Sequence, residues 1–171
     1  SHFMPAKALC SHVTDWNKKA SVKFRLDVDF SCKLGFDLDL KHLSADDLAY
    51  CQAAIKAYNR LKPVIFSPNL YRLVSPYETN HCALMRVNDN QTHALLFAYD
   101  LHPRYGETII NTRLQGLDPA ATYRVREICL MPGQESRLSF HNKCFTGDYL
   151  HKRLGLKFWA ENSSIAALSN W

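Results

Sequence analysis

The sequence has six cysteines, at 10, 32, 51, 82, 129 and 144, yet no Cys-x-x-Cys pair. That spacing gives a zinc ribbon no frame. Three disulfides are arithmetically possible, but 171 residues can bury a core without staples. Cys51 and Cys82 fall on apolar faces, so buried free thiols are the expected state. Also missing are G-x-S-x-G, H-E-x-x-H and any glycine loop of the kind that cradles phosphate. Basic residues never run to five in a row. The net charge of +5 is spread thinly, densest at Lys18-Lys19 and Lys152-Arg153, and the eight histidines are scattered. Nucleic-acid binding wants a concentrated basic face, and none is in view. No apolar run is long enough to span a membrane. The opening SHFMPAKALCSHV lacks a charged n-region and a clean apolar core, so no secretory leader is read there. With no Met at position 1, and Phe3, Met4, Ala6, Ala8 and Leu9 resembling a packed segment, the chain is expected to begin inside a domain.

What is present is globular: 47% apolar and 22% charged residues, enough for one or two domains. The most regular stretch runs from Asn69 to Tyr105 and reads as three strands, Leu70 to Ser75, His81 to Val87 and His93 to Tyr99. In the second, Cys82, Leu84 and Arg86 alternate with Ala83, Met85 and Val87, which puts the two sets on opposite faces. Asn88-Asp89-Asn90-Gln91 has turn chemistry, so the second and third strands are expected to form a hairpin.

Upstream, Ser21 to Phe30 (SVKFRLDVDF) alternates apolar and charged residues and reads as another strand. Ser44-x-x-Asp47 is a capping box, followed by Leu48, Cys51, Ile55 and Tyr58 at helical spacing. A helix over about 45–62 follows, with Pro63 as its stop. Beyond it, Arg113 to Gln115, Thr122 to Leu130, Thr146 to His151 and Leu156 to Trp159 are further strand candidates, and ENSSIAALSNW is a candidate last strand. Strands at about ten-residue spacing without helices predict an antiparallel sandwich. The boundary falls at Pro63 to Ser67, giving two parts, 1–66 and 67–171.

Three groups are chemical candidates. Asp27 and Asp29, two apart on a strand, would share a face at about 7 Å along the backbone, within reach of a glycosidase carboxylate pair. A polar strand face balanced by Lys23 and Arg25 explains them too. Cys10, Ser11 and His12 with Cys32 contain the parts of a thiol nucleophile and its base, but nothing in the spacing requires contact and packed cysteines are the favoured reading. His102 and Arg104 flank Pro103 at a corner that could bind or merely end a strand.

The strings NLYRLVSPYE, ALLFAYDLHPRYGE, LQGLDP, YRVREICLMPG and TGDYL resemble the carboxy-terminal part of alpha-galactosidases of glycoside hydrolase family 36. HVT, KFRLDV, KLGFDLDL and the Ser44–Arg60 helix resemble the end of that family's catalytic barrel. The resemblance implies an α+β fragment: the last strands and helix of a (β/α)8 barrel, then an antiparallel β-sandwich. It implies a retaining hydrolase of terminal alpha-galactosyl residues, as in melibiose and raffinose, working with two carboxylates and without cofactor or metal. Both carboxylates, nucleophile and acid/base, belong upstream of Ser1 by that resemblance, so 1–171 alone would be inert. The family has Gly where this chain has Cys32, and a small residue at Asp29. Ser31 and Cys32 are then the candidate sugar contacts, near the carboxyl end of a barrel strand. The resemblance also implies a homo-oligomer for the whole enzyme. A different class of function, a free-standing sugar-binding or assembly module, would use Tyr71, Tyr77, Tyr105, Tyr149 and Trp159. The first 62 residues, as a remnant of a barrel, are expected to be poorly stable by themselves.

Overall fold

The computed structural model describes residues 4–16, 19–102, 109–136, 138–152, 154–157 and 163–170. The first part is a β-α-β-α succession: β1 (Cys10–Thr14), α1 (Val22–Asp29), β2 (Lys33–Asp37) and α2 (Ala45–Ile65). β1 and β2 pair in parallel, with Cys10 opposite Lys33 and Thr14 opposite Asp37. The second part is an antiparallel six-stranded sheet in the order β3-β4-β5-β10-β7-β8. Its strands are β3 (Asn69–Val74), β4 (His81–Val87), β5 (His93–Asp100), β7 (Thr122–Ile128), β8 (Lys143–Thr146) and β10 (Ser163–Asn170). A separate ribbon joins β6 (Ile109–Thr112) to β9 (Leu154–Lys157), and α3 (Gly147–Lys152) is a short helix after β8.

The stretch from Ser21 to Phe30 is a helix, not the strand that its alternation predicts. SVKFRLDVDF also satisfies a helical repeat, with Val22, Leu26 and Phe30 four apart and buried. Two further facts favour the helix. Ser21 caps it by accepting from the Phe24 amide at 3.1 Å, and Lys23 meets Asp27 one turn on. Alternation over ten residues could not separate the two readings; the partners across the fold did.

The second helix is capped by Ser44, whose hydroxyl accepts from the Asp47 amide, as the capping box requires. Pro63 does not stop it. The helix runs one more turn to Ile65, because a proline removes one hydrogen bond but the buried Val64 and Ile65 hold the backbone in place. Thr146 to His151 is likewise not a strand: β8 stops at Thr146 and Gly147 opens α3. Arg113 to Gln115 falls just after β6 rather than within a strand. The predicted β4–β5 hairpin forms, with Gln91 taking a φ of 58° in its turn. The tail does supply a strand, and β10 sits in the middle of the sheet between β5 and β7.

The sheet separates two cores. On one face Ala83, Met85, Leu96, Tyr123, Val125 and Leu168 pack beneath Leu114, Leu117, Leu138, Phe140 and Leu150. On the other, Leu95, Phe97, Tyr99 and Ile165 pack against α1 and α2 through Leu26, Phe30, Tyr50, Ala54 and Tyr58. β5 therefore alternates between two cores, with every residue after His93 buried. Helices, rather than a second sheet, cover the second face, and the result is an α+β arrangement around one antiparallel sheet.

Candidate functional site

The carboxylate pair read from the sequence comes apart on the helix. Two residues along an α-helix are turned by about 200°, so Asp27 and Asp29 point to nearly opposite sides. Asp27 is wholly buried and saturated: Tyr50 donates at 2.7 Å, Ser163 at 2.8 Å, and Lys23 forms an ion pair with it. The Tyr99 hydroxyl adds a bond to the Asp27 carbonyl at 3.0 Å. Lys23, itself buried, lies 5.8 Å from the centre of the Tyr50 ring. Burial raises the Asp27 carboxyl above the ordinary range, and Lys23, Tyr50 and Ser163 oppose that rise. Beside it, burial pushes the Cys129 thiol up to about 12. Nothing can reach this carboxylate from solvent, so it acts as a clasp between α1, α2 and β10.

Asp29 is the end of a second cluster. Its Oδ1 accepts from the Ser11 hydroxyl, while Oδ2 has no hydrogen-bond partner among the described residues. Burial raises this carboxyl too, partly offset by Ser11, His12 and Arg25. Of the proposed thiol–base group, Cys10 and His12 do meet, with Sγ 3.2 Å from Nε2 on the outer face of β1. The His12 ring packs against Gly35, where a Cβ would come within 2.4 Å of it. Cys32 is turned elsewhere, its Sγ donating to the Asp29 carbonyl at 3.6 Å, and burial raises its thiol. All six cysteines are free.

Ser31 and Cys32 therefore sit between the end of α1 and the start of β2. That is the amino end of a parallel strand, because the segment before them is a helix. The carboxyl ends of β1 and β2 lie at the other extremity. There Thr14, Asp15 and Trp16 follow one strand, and Leu38 and Asp39 follow the other. The two ends are tied by the Asp39 amide donating to Asp15 Oδ2 at 2.8 Å, and Arg25 donates to the Thr14 carbonyl. Trp16 stands 87% exposed at this rim. His102 is exposed, whereas Pro103, Arg104, Tyr105 and Trp159 lie outside the described residues.

Sequence reasoning missed Lys23, Tyr50, Tyr99 and Ser163 as a group. The four-residue spacing of Lys23 and Asp27 was the available signal for a helix, but nothing local points to Ser163, 136 residues from Asp27.

Comparison with known proteins gives this arrangement a lineage. Residues 81–168, from β4 to β10, match the model of the glycosyl hydrolase family 36 C-terminal domain. The chain belongs to glycoside hydrolase family 36. It is 30% identical over 147 residues to Alpha-galactosidase 1 of Pediococcus pentosaceus, covering 85% of this chain and 20% of that protein. Alpha-galactosidase AgaA of Geobacillus stearothermophilus is 26% identical over 136 residues. The crystal structure of that enzyme matches the fold across 98% of this chain, with a TM-score of 0.80 at 23% identity, and 22% of its own length is covered. The galactosidase domain of an alpha-galactosidase–sucrose kinase matches with a TM-score of 0.81 and 24% identity, over 99% of this chain and 23% of that one. The chain thus spans about a fifth of the length of the relatives it matches. The fold match extends over the β-α-β-α segment as well as the sheet.

Proposed function

We propose that this chain is the end of the catalytic barrel and the C-terminal domain of a retaining alpha-galactosidase, and that it is inert by itself. The observation that carries this reading is the family match over β4 to β10, attached to a β-α-β-α unit whose parallel strands are followed by helices, the repeat of a (β/α)8 barrel. In that reading 1–66 closes the barrel and 67–171 braces it from outside. Chemistry in such barrels gathers at the carboxyl ends of the strands. The sugar-facing rim of this chain is then Thr14 to Trp16 with Asp37 to Asp39, and Ser31 and Cys32 lie at the opposite end, where they shape the barrel floor. Substrates are terminal alpha-galactosides. Raffinose and stachyose are bound in structures of the Geobacillus stearothermophilus enzyme.

Catalysis in this reading belongs to an upstream nucleophile and acid/base. Asp27 is sealed inside the clasp and Asp29 is buried against β1, so neither is free to attack or protonate a sugar. The test uses an aryl alpha-galactoside. The purified 171 residues are expected to give no turnover, and a fusion to the upstream barrel of a family member is expected to turn the substrate over. Hydrolysis by the purified chain would overturn the proposal, whether or not it survives Asp27→Ala. The same preparation titrated with galactosides measures the binding-module reading, for which Tyr77 at 92% and Tyr149 at 53% exposure are the available aromatics.

A further inference from the structure

The six free thiols are not equivalent. Burial raises those of Cys32, Cys51, Cys82 and Cys129 and so holds them protonated. Cys10 and Cys144 are the two exposed ones. Cys144 lies on β8 opposite Arg124, and no imidazole is bonded to its sulfur among the described residues. Cys10 differs. Its Sγ lies 3.2 Å from Nε2 of His12, which is two residues along β1 and itself exposed. That is close enough for an imidazole to take a thiol proton.

Strand geometry and Gly35 together make this pair. Side chains two apart on a strand project from one face about 7 Å apart along the backbone, so they meet only by leaning toward each other. β2 keeps His12 leaning. Gly35 is the register partner of His12, and a Cβ there would fall 2.4 Å from His12 Cδ2 and 3.0 Å from Nε2. The ring fills the space that any other residue at 35 would take, with Nε2 beside the Cys10 sulfur. A nucleophile, a base within reach and a third group that orients the base are the parts of an activated thiol.

We propose that Cys10 is the reactive thiol of this chain and a site of covalent modification by low-molecular-weight disulfides, with His12 as its general base. Nε2 takes the thiol proton as Sγ attacks one sulfur of the reagent. The new bond to Cys10 forms, the reagent's own disulfide bond breaks, and its other half leaves with the electron pair and collects the proton from His12. Cys10 is oxidised to a mixed disulfide and one small thiol is released. The inference stands on the chain itself and does not rest on the alpha-galactosidase reading. In that reading this face of β1 turns toward the barrel axis, so the 171-residue chain, where the face is open, is the material for the test.

The probe is hydroxyethyl disulfide, which is uncharged and so insensitive to Lys33 and Arg124, the residues opposite the two exposed thiols. The folded chain is exposed to it at neutral pH and quenched with acid at intervals, and the adducts are assigned by peptide mass spectrometry. Cys10 is expected to react first, about tenfold or more ahead of Cys144, with the other four thiols behind both. His12→Ala, at an exposed position, should bring Cys10 down to the rate of Cys144, and an unchanged Cys144 rate in that variant verifies the fold. His12→Gln, which keeps the bulk of the side chain but not the base, should do the same. Cys144 reacting as fast as Cys10 in the wild type, or a Cys10 rate that both substitutions leave unchanged, would overturn the proposal.

Discussion

The two halves of this chain bury their apolar surface in different ways. From β3 onward the sheet covers itself: one face packs under Leu114, Leu138, Phe140 and Leu150, all within the same half. The β-α-β-α half borrows its cover. Its helices bury Leu26, Phe30, Tyr50 and Tyr58 against β5 and β10, and its other surfaces stay bare. Among the described residues ten large hydrophobics are exposed. Seven of them (Met4, Trp16, Val28, Phe36, Leu40, Leu48 and Ile55) lie in the first 66 residues, so the uncovered surface is concentrated in one half. Such a concentration fits the proposal that this half belongs to a larger barrel. The difference teaches that the sheet half covers one of its faces from within, while its other face and the helices cover each other.

The largest expected effect breaks the seam between the halves. Asp27→Ala leaves the buried Lys23 ammonium without its partner and strands Tyr50 and Ser163; removal of one member of such a pair costs about 3–5 kcal/mol. Urea unfolding should show the loss, with α1 and α2 released before the sheet. A break confined to the sheet half comes next. Gly116 has a φ of 77° and a Cβ there would lie 2.3 Å from the Tyr71 ring, so Gly116→Ala should cost about 2–4 kcal/mol. Thermal unfolding monitored through sheet and helix probes should show the sheet losing stability first, the reverse of Asp27→Ala. Ser44→Ala removes the cap of α2 and should cost about 1 kcal/mol, seen in urea unfolding as a small loss restricted to the helical half.

The smallest effect sharpens the comparison through pH. Burial holds the Asp29 carboxyl above its ordinary 3.8, so folding favours the protonated form. The wild-type chain therefore loses stability as pH rises from the unfolded value through the raised folded one. Asp29→Asn cannot ionise. Its stability relative to wild type should increase as pH rises above the ordinary carboxylate value of 3.8 and level off once the folded carboxyl has ionised. Denaturation curves across that range check it, and a difference that shrinks with rising pH would contradict the assignment.

The sheet half was the legible one. Strands β4 and β5 carry period-two patterns, their turn is Asn-Asp-Asn-Gln, and both were placed within a residue of their ends. Even β10 could be read, because SSIAALSN is apolar and lies beyond the last turn residues, although its central position could not. The helical half failed where a ten-residue window satisfies two periods at once. In SVKFRLDVDF every second residue is apolar, and so is every fourth. The choice rests on Tyr50, Tyr99 and Ser163, which lie far along the chain. That misreading moved Asp29, Ser31 and Cys32 to the wrong end of the unit. Pro63 misled for a related reason: its penalty is local, whereas the burial of Val64 and Ile65 that outweighs it is tertiary. Cys10 and His12 were visible as a possible thiol and base, but nothing in the sequence placed Gly35 beside the imidazole.

The measurement that tests this account most directly is native-state hydrogen exchange on the purified chain, followed residue by residue. The amides of β1, β2 and the outer turns of α2 should exchange well before those of β5 and β10, because only one side of the helical half is covered. Fusion to an upstream family barrel should raise their protection toward that of the sheet. Protection in the isolated chain equal across β1, β2, α2, β5 and β10 would show the helical half to be complete in itself, and would contradict the reading of it as part of a larger barrel.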